Sequence, residues 1–155
     1  MSSIATSSPV TISSSAPHQS RAASRGRFAR VGLATVAAAT LANVLVYYLG
    51  GALVPYDPQF LPLTDVSGAI VFTLPAAIVA VLVYAALLRF ARRPVRTFAI
   101  ISTVVFVVTA IPDFTYIPTV PGATGGQTAV LVLMHIVAAV VIVRMLTTLA
   151  RPQAR

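Results

Sequence analysis

Four long apolar stretches, separated by short segments rich in arginine, proline or glycine, are the strongest constraint on what this chain can fold into. Residues 31–54 contain no charged side chain, and about 20 apolar residues suffice for a helix to cross the hydrocarbon core of a bilayer. Charged residues make up 9% of the chain, whereas a soluble domain carries about 25%. A soluble globular domain and a wholly disordered chain are therefore excluded. We predict an all-α fold, an integral membrane bundle of four transmembrane helices.

The apolar pattern divides the chain into three parts. Residues 1–27 are rich in Ser, Thr and Pro, and we predict a disordered tail there because such a segment buries too little apolar surface to become ordered. Residues 28–150 form the predicted membrane domain, and residues 151–155 form a C-terminal tail. The predicted spans cover residues 31–54, 67–88, 95–111 and 127–149. Pro75 lies inside the second span and predicts a kink, whereas Pro112 predicts the end of the third.

Charge placement gives the predicted orientation. With four spans, the N-terminal arm, the turn at residues 89–96 and the C-terminus, together with the end of the fourth span that carries Arg144, share one side and hold all 11 cationic residues, every one an arginine. The two remaining loops carry all three aspartates. The positive-inside rule places the arginine side, with both termini, in the cytoplasm. Because the arginines flank apolar stretches and do not cover one face of a soluble fold, nucleic-acid binding is not expected.

The residues that carry chemistry are few. The chain has no Cys and only two His, and a zinc site needs three or four ligands from Cys, His and carboxylates. We therefore expect no metal and no cofactor. None of the nucleophile-elbow, HExxH or glycine-rich phosphate-loop motifs is present. The sequence accordingly favours a protein that is not an enzyme.

Three polar residues in or beside the spans are candidate site residues. His135 lies inside the fourth span, where an ionisable group is a functional hypothesis by default, although a neutral His also serves as an interhelical hydrogen-bonding group. Asn43 lies near the middle of the first span and contacts either another helix or a ligand. Asp113 is either a solvated acid at the end of the third span or the partner of His135 in a protonatable pair.

The turn between the second and third spans is strongly basic. Arg89, Arg92, Arg93 and Arg96 all lie within eight residues. Such clusters bind anionic lipid headgroups, with about 1 kcal/mol for each arginine near the surface. The alternative is that the cluster sets the orientation of the chain and nothing else.

Short segments of the spans resemble a known family. These are Leu41-Ala-Asn43 in the first span and Met134-His135, with the Val-Ala-Ala at residues 137–139, in the fourth. Over about residues 28–150 the chain resembles the bacterial four-helix membrane family known as domain of unknown function 6069. The resemblance implies a four-span fold in a bacterial cytoplasmic membrane. It implies no established activity and no site residues.

Two functions are compatible with this sequence. The one it favours is a non-enzymatic accessory or interaction protein of the cytoplasmic membrane, because the spans carry so few polar residues. The alternative is a small transporter or exporter subunit, with His135, Asn43 and Asp113 lining a path in a homo-oligomer. An enzyme acting on lipid is least favoured. The expected partners are the lipid bilayer and a second membrane protein or another copy of the chain.

Overall fold

The computed structural model describes the backbone of residues 16–150 and the side chains of residues 26–150. The described residues form helices joined by short connections, without a strand. Its helices are α1 (Ala16–Leu53), α2 (Leu61–Thr64), α3 (Val66–Phe90), α4 (Pro94–Thr115) and α5 (Gly125–Leu149). A short 3₁₀ helix, Ile117–Thr119, connects α4 to α5. Helices α1, α3, α4 and α5 are long and apolar enough to cross a membrane, which confirms the predicted fold class and the number of spans.

The first helix begins earlier than the sequence predicted. Helix α1 starts at Ala16, so residues 16–27 of the segment predicted to be disordered are helical. This part of the chain combines alanine with arginine, two strong helix formers, and an existing helix propagates at the gain of one backbone hydrogen bond per residue. The remainder of the predicted tail, residues 1–15, lies outside the described residues, as does the C-terminal tail at 151–155.

The third transmembrane helix is longer than predicted. Helix α4 continues through Pro112 to Thr115, so the prediction that Pro112 ends the span was wrong. Proline removes only its own backbone N–H, and membrane helices tolerate this when neighbouring groups restore the hydrogen bonding. The backbone N–H of Tyr116 donates to the carbonyl of Pro112 at 2.9 Å, which keeps the last turn closed. Asp113 consequently lies in the helix and not in the following loop.

The four long helices form a bundle in which α1 packs along both α3 and α5. Helix α4 packs mainly on α5, and less extensively on α3. Two apolar clusters hold the bundle together. One is built around Tyr84 and Phe98, and the other around Phe60 and Met134. All four long helices also carry large apolar side chains that are exposed, as a lipid-facing surface requires.

The two ends of the bundle differ in charge and in structure. The arginine end is where α3 ends and α4 begins. The loop end is formed by α2, the 3₁₀ helix and the connections around them. Helix α5 begins at the loop end with a capping box, in which Gln127 and Thr124 exchange hydrogen bonds between side chain and backbone. Helix α3 begins with Asp65, whose carboxylate accepts a hydrogen bond from the backbone N–H of Ser67 at 2.7 Å.

A glycine allows the loop end to close tightly. A Cβ on Gly50 of α1 would lie 2.6 Å from the hydroxyl of Tyr56 and 2.8 Å from a methyl group of Val130 on α5. The Tyr56 hydroxyl is itself fixed, because it donates to the carbonyl of Tyr47 at 2.6 Å. Any side chain at position 50 would therefore push α1 away from α5.

Candidate functional site

A cavity of about 380 Å³ lies between α3, α4 and α5, with α1 contributing one residue to its wall. Alanine and glycine line much of it: Gly68, Ala69, Ala76, Ala80, Ala138 and Ala139. These small side chains leave the space between helices that larger residues would fill. The polar groups on the wall are the side chains of Asn43, Thr73, Ser102, Thr109, Asp113 and His135. The cavity thus brings together all three site residues predicted within the spans.

The cavity reaches the surface of the bundle between α3 and α4. Phe72 of α3 and Val105 of α4 both line it, and both are largely exposed. These two helices are neighbours with little contact between them. A molecule dissolved in the bilayer would therefore meet the opening from the side.

Asn43 makes the predicted interhelical hydrogen bond, and Thr73 of α3 is the residue that accepts it. Its Nδ2 donates to the hydroxyl of Thr73 at 2.7 Å, and both residues are at least 95% buried. The Oδ1 of Asn43 is buried and accepts no hydrogen bond. An orphaned buried acceptor destabilises a fold by about 1–3 kcal/mol. Packing alone gives no reason to keep an amide at this position, where an apolar residue would avoid that penalty.

Asp113 is a buried acid within the bundle. It is 8% exposed, so the expectation that this acid is solvated was wrong, although it does lie near the end of the third membrane helix, because α4 extends past Pro112. Its Oδ2 lies 3.1 Å from Nδ1 of His135. The contact is close, but it lacks the alignment of a hydrogen bond, and Oδ2 is otherwise unpaired. The predicted proximity of the two residues is therefore present, and the protonation of the pair stays a prediction.

His135 projects from α5 into the cavity and remains 36% exposed. Its Nε2 lies 3.1 Å from the hydroxyl of Thr109 on α4. The ring of Phe106 packs edge-on against the imidazole, with the ring centroids 5.9 Å apart. Groups on α4 therefore lie beside both nitrogens of His135, and Thr109 and Phe106 orient the ring.

The hydroxyl of Thr109 decides which nitrogen carries a proton. It lies 2.8 Å from the carbonyl oxygen of Val105, one turn earlier, to which it donates. Since a hydroxyl has one proton, the contact with Nε2 then requires that Nε2 be the donor. In a neutral imidazole of this tautomer Nδ1 would present its lone pair toward Asp113, 3.1 Å away. The geometry thus places two proton acceptors, an imidazole nitrogen and a carboxylate oxygen, side by side.

The order Thr109, His135, Asp113 resembles a catalytic triad in its contacts, yet it lacks what acyl transfer needs. The hydroxyl proton of Thr109 is directed to a helix carbonyl and away from the imidazole. Backbone N–H groups within a helix donate to carbonyls one turn earlier, so those around Thr109 cannot stabilise an oxyanion. Among the described residues, no group of three His, Cys, Asp or Glu side chains could hold a metal ion.

Sequence reasoning did not find Thr73 and Thr109, the two hydroxyl partners of the site. Threonine is common in apolar helices and usually bonds to its own helix, as Thr35 and Thr103 do here. The sequence does contain one indication that Thr109 lies near Asp113, namely their spacing. Thr109 lies four residues before Asp113, a spacing that places both on one face of a helix.

Comparison with known proteins extends the resemblance seen in the sequence. Residues 23–152 match the Family of unknown function (DUF6069). The chain belongs to this family. No curated protein and no solved structure matches this chain. The DUF6069 match spans all four long helices and hence every residue on the cavity wall.

The predicted arginine cluster lies at the arginine end of this DUF6069 chain, far from the cavity. Arg89, Arg92, Arg93 and Arg96 are all exposed. Only Arg89 has an aromatic neighbour, the ring of Phe90, whose centroid lies 5.7 Å from its guanidinium carbon. Contact of these four side chains with anionic lipid headgroups stays a prediction.

Proposed function

We propose that this chain is a non-enzymatic membrane protein that binds a small, largely apolar molecule in the cavity, as part of a transporter or exporter. One observation carries the proposal. Asn43, Asp113 and His135, drawn from three different helices, line the same partly open cavity. Polar side chains inside a membrane bundle are unfavourable unless they are paired, and two of these three have a buried oxygen without a hydrogen bond.

The chemistry of the wall limits what the cavity would hold. Its surface is mainly apolar, with a few convergent polar groups, which is the usual composition of a small-molecule site. The carboxylate of Asp113 is an acceptor on this wall, so it suits a ligand that carries N–H or O–H donors. The opening between α3 and α4 favours entry from the bilayer. Together these features favour the transport function over the accessory function that composition alone favoured.

The location and orientation of the chain in the membrane are proposed from the distribution of its arginines. We propose that the chain lies in the cytoplasmic membrane of a bacterium, with the arginine end and both termini in the cytoplasm. The exposed arginines there would contact anionic lipids. Four helices enclose little space, which supports assembly with a second copy of the chain.

Native mass spectrometry of the full-length protein, released from its own membranes, tests the proposed function. We expect a bound small molecule that is lost from His135→Ala and retained by His18→Ala, the same substitution at the only other histidine. The mass of the intact particle also gives the number of copies. A protein partner at fixed ratio with no small molecule would support the accessory function instead, and an empty cavity would refute both binding and transport.

A further inference from the structure

We infer that the cavity takes a protonated amine with an apolar body, and that the amine displaces one proton held by His135 and Asp113. This inference rests on the proposed binding function and adds the ligand class and its coupling to pH. It follows from the charges that the cavity can and cannot balance.

The titratable groups on the wall are two. Helix α4 contributes Asp113 and helix α5 contributes His135, whereas the polar groups of α1 and α3 on the wall, Asn43 and Thr73, do not titrate. The nearest arginine on α5, Arg144, lies nine residues beyond His135, which is about 13 Å along the helix axis. The charge inside the cavity is therefore set by the imidazole, the carboxylate and the ligand.

The pair is neutral only when it holds its extra proton. With that proton it is either an imidazolium with a carboxylate or an imidazole with a carboxylic acid. Without it, the cavity carries one net negative charge in apolar surroundings, which is strongly unfavourable unless a cation is present. The cavity therefore has two stable states. In one the extra proton lies beside Asp113, and in the other a ligand cation does.

Binding is then an exchange. A protonated amine places its N–H groups at the carboxylate of Asp113, which lies on the cavity wall. The proton of the pair leaves to water, and His135 becomes a neutral imidazole that still donates through Nε2 to Thr109. One positive charge enters and one leaves, so the net charge of the cavity is unchanged.

A matched pair of probes tests the exchange, namely 4-phenylbutylamine and its neutral analogue 4-phenylbutan-1-ol, with the full chain in lipid nanodiscs. Isothermal titration calorimetry in buffers of different ionisation enthalpy counts the protons released. We expect about one proton per amine where the pair is protonated, with affinity rising about tenfold per pH unit there. The alcohol should bind more weakly and release none. Equal affinity for the two probes, or no proton release with the amine, would overturn the inference.

Three variants assign the proton. Asp113→Asn should lose at least tenfold in amine affinity, whereas Asp57→Asn, the same change in an exposed connection, should not. His135→Gln leaves Asp113 as the titratable group on the wall, so proton release on amine binding should follow the ionisation of a single carboxyl group, with a midpoint pH that differs from that of the unaltered chain. A pH profile of proton release that is unchanged in His135→Gln would contradict the assignment.

A measurement on the intact site covers the possibility that Asp113→Asn fails to fold. With ¹⁵N-labelled histidine in a His18→Gln background, His135 is the only labelled ring. Saturating amine should shift the spectrum to that of a neutral imidazole protonated at Nε2, and the alcohol should not. An imidazolium spectrum in the amine complex would refute the exchange, while a cavity ligand found by native mass spectrometry would leave the proposed binding function intact.

Discussion

Replacing Asn43 with leucine separates a structural role from a functional one. If Asn43 serves only to join α1 to α3, Asn43→Leu loses the hydrogen bond to Thr73, and such bonds within membrane bundles contribute about 0.6 kcal/mol on average and about 1.7 at most. The substitution also removes the unpaired Oδ1, which relieves about 1–3 kcal/mol. The freed hydroxyl of Thr73 can turn to the carbonyl one turn earlier, as Thr35 does at 2.8 Å.

The difference between these two terms runs from about 0.7 kcal/mol of destabilisation to about 2.4 kcal/mol of stabilisation, so we expect Asn43→Leu to be close to neutral or stabilising. Reversible unfolding in mixed micelles measures this change, and native mass spectrometry measures ligand retention, which we expect to fall. Thr40→Val is the control, because the Thr40 hydroxyl is also buried and unpaired and lies away from the cavity wall. It should stabilise the fold without loss of ligand. Destabilisation of Asn43→Leu by more than 1.5 kcal/mol, about the largest net hydrogen-bond contribution, with the ligand retained, would refute this reasoning.

Three further substitutions test the fold and its orientation. Gly50→Ala should destabilise the bundle by about 1–3 kcal/mol relative to Gly26→Ala, because position 26 has nothing within 4 Å of a Cβ; equal thermal stability of the two variants would contradict the close approach of α1 and α5. The hydrogen bond from the backbone N–H of Ser67 lowers the pKa of Asp65 in the folded chain. The stabilisation contributed by this carboxylate is therefore fully present above about pH 4, the pKa of a free aspartate, and is lost as the pH falls toward the lowered pKa of the folded chain. Asp65→Asn should flatten that acid limb in melting curves, and an unchanged limb would refute the role of the cap. The chain has no cysteine, so Gln59→Cys and Arg92→Cys each introduce a single thiol. An impermeant thiol reagent should reach Gln59→Cys only from outside the cell. It should reach Arg92→Cys only from inside.

The membrane architecture was predictable because it depends on sums over many residues. Four long apolar stretches and the arginines beside them fixed the number of spans without any knowledge of packing. The end of α4 was not predictable in the same way, since whether a helix tolerates Pro112 depends on the hydrogen bonds that its neighbours supply. Helix formation at residues 16–27 likewise depended on the helix that follows, and composition alone does not record it.

The candidate site was predictable in its residue types and not in its geometry. A histidine, an amide and an acid in an otherwise apolar chain stand out by their solvation penalty alone. The contact between His135 and Asp113 depends on the relative heights of two helices, which the sequence does not specify. The cavity itself depends on where alanines from different helices face one another, and alanine is too common here to mark a position.

Photo-crosslinking within living cells tests the central claim, that the cavity holds a small molecule, most directly. A benzophenone amino acid in place of Phe72, on the cavity wall, should attach to a small molecule that mass spectrometry then identifies. The same replacement at Phe90, which is exposed on the same helix but away from the cavity, should attach only to lipid. Because Phe72 is itself largely exposed, phospholipid adducts are expected at both positions, and the absence of any additional small-molecule adduct at position 72 would contradict the claim.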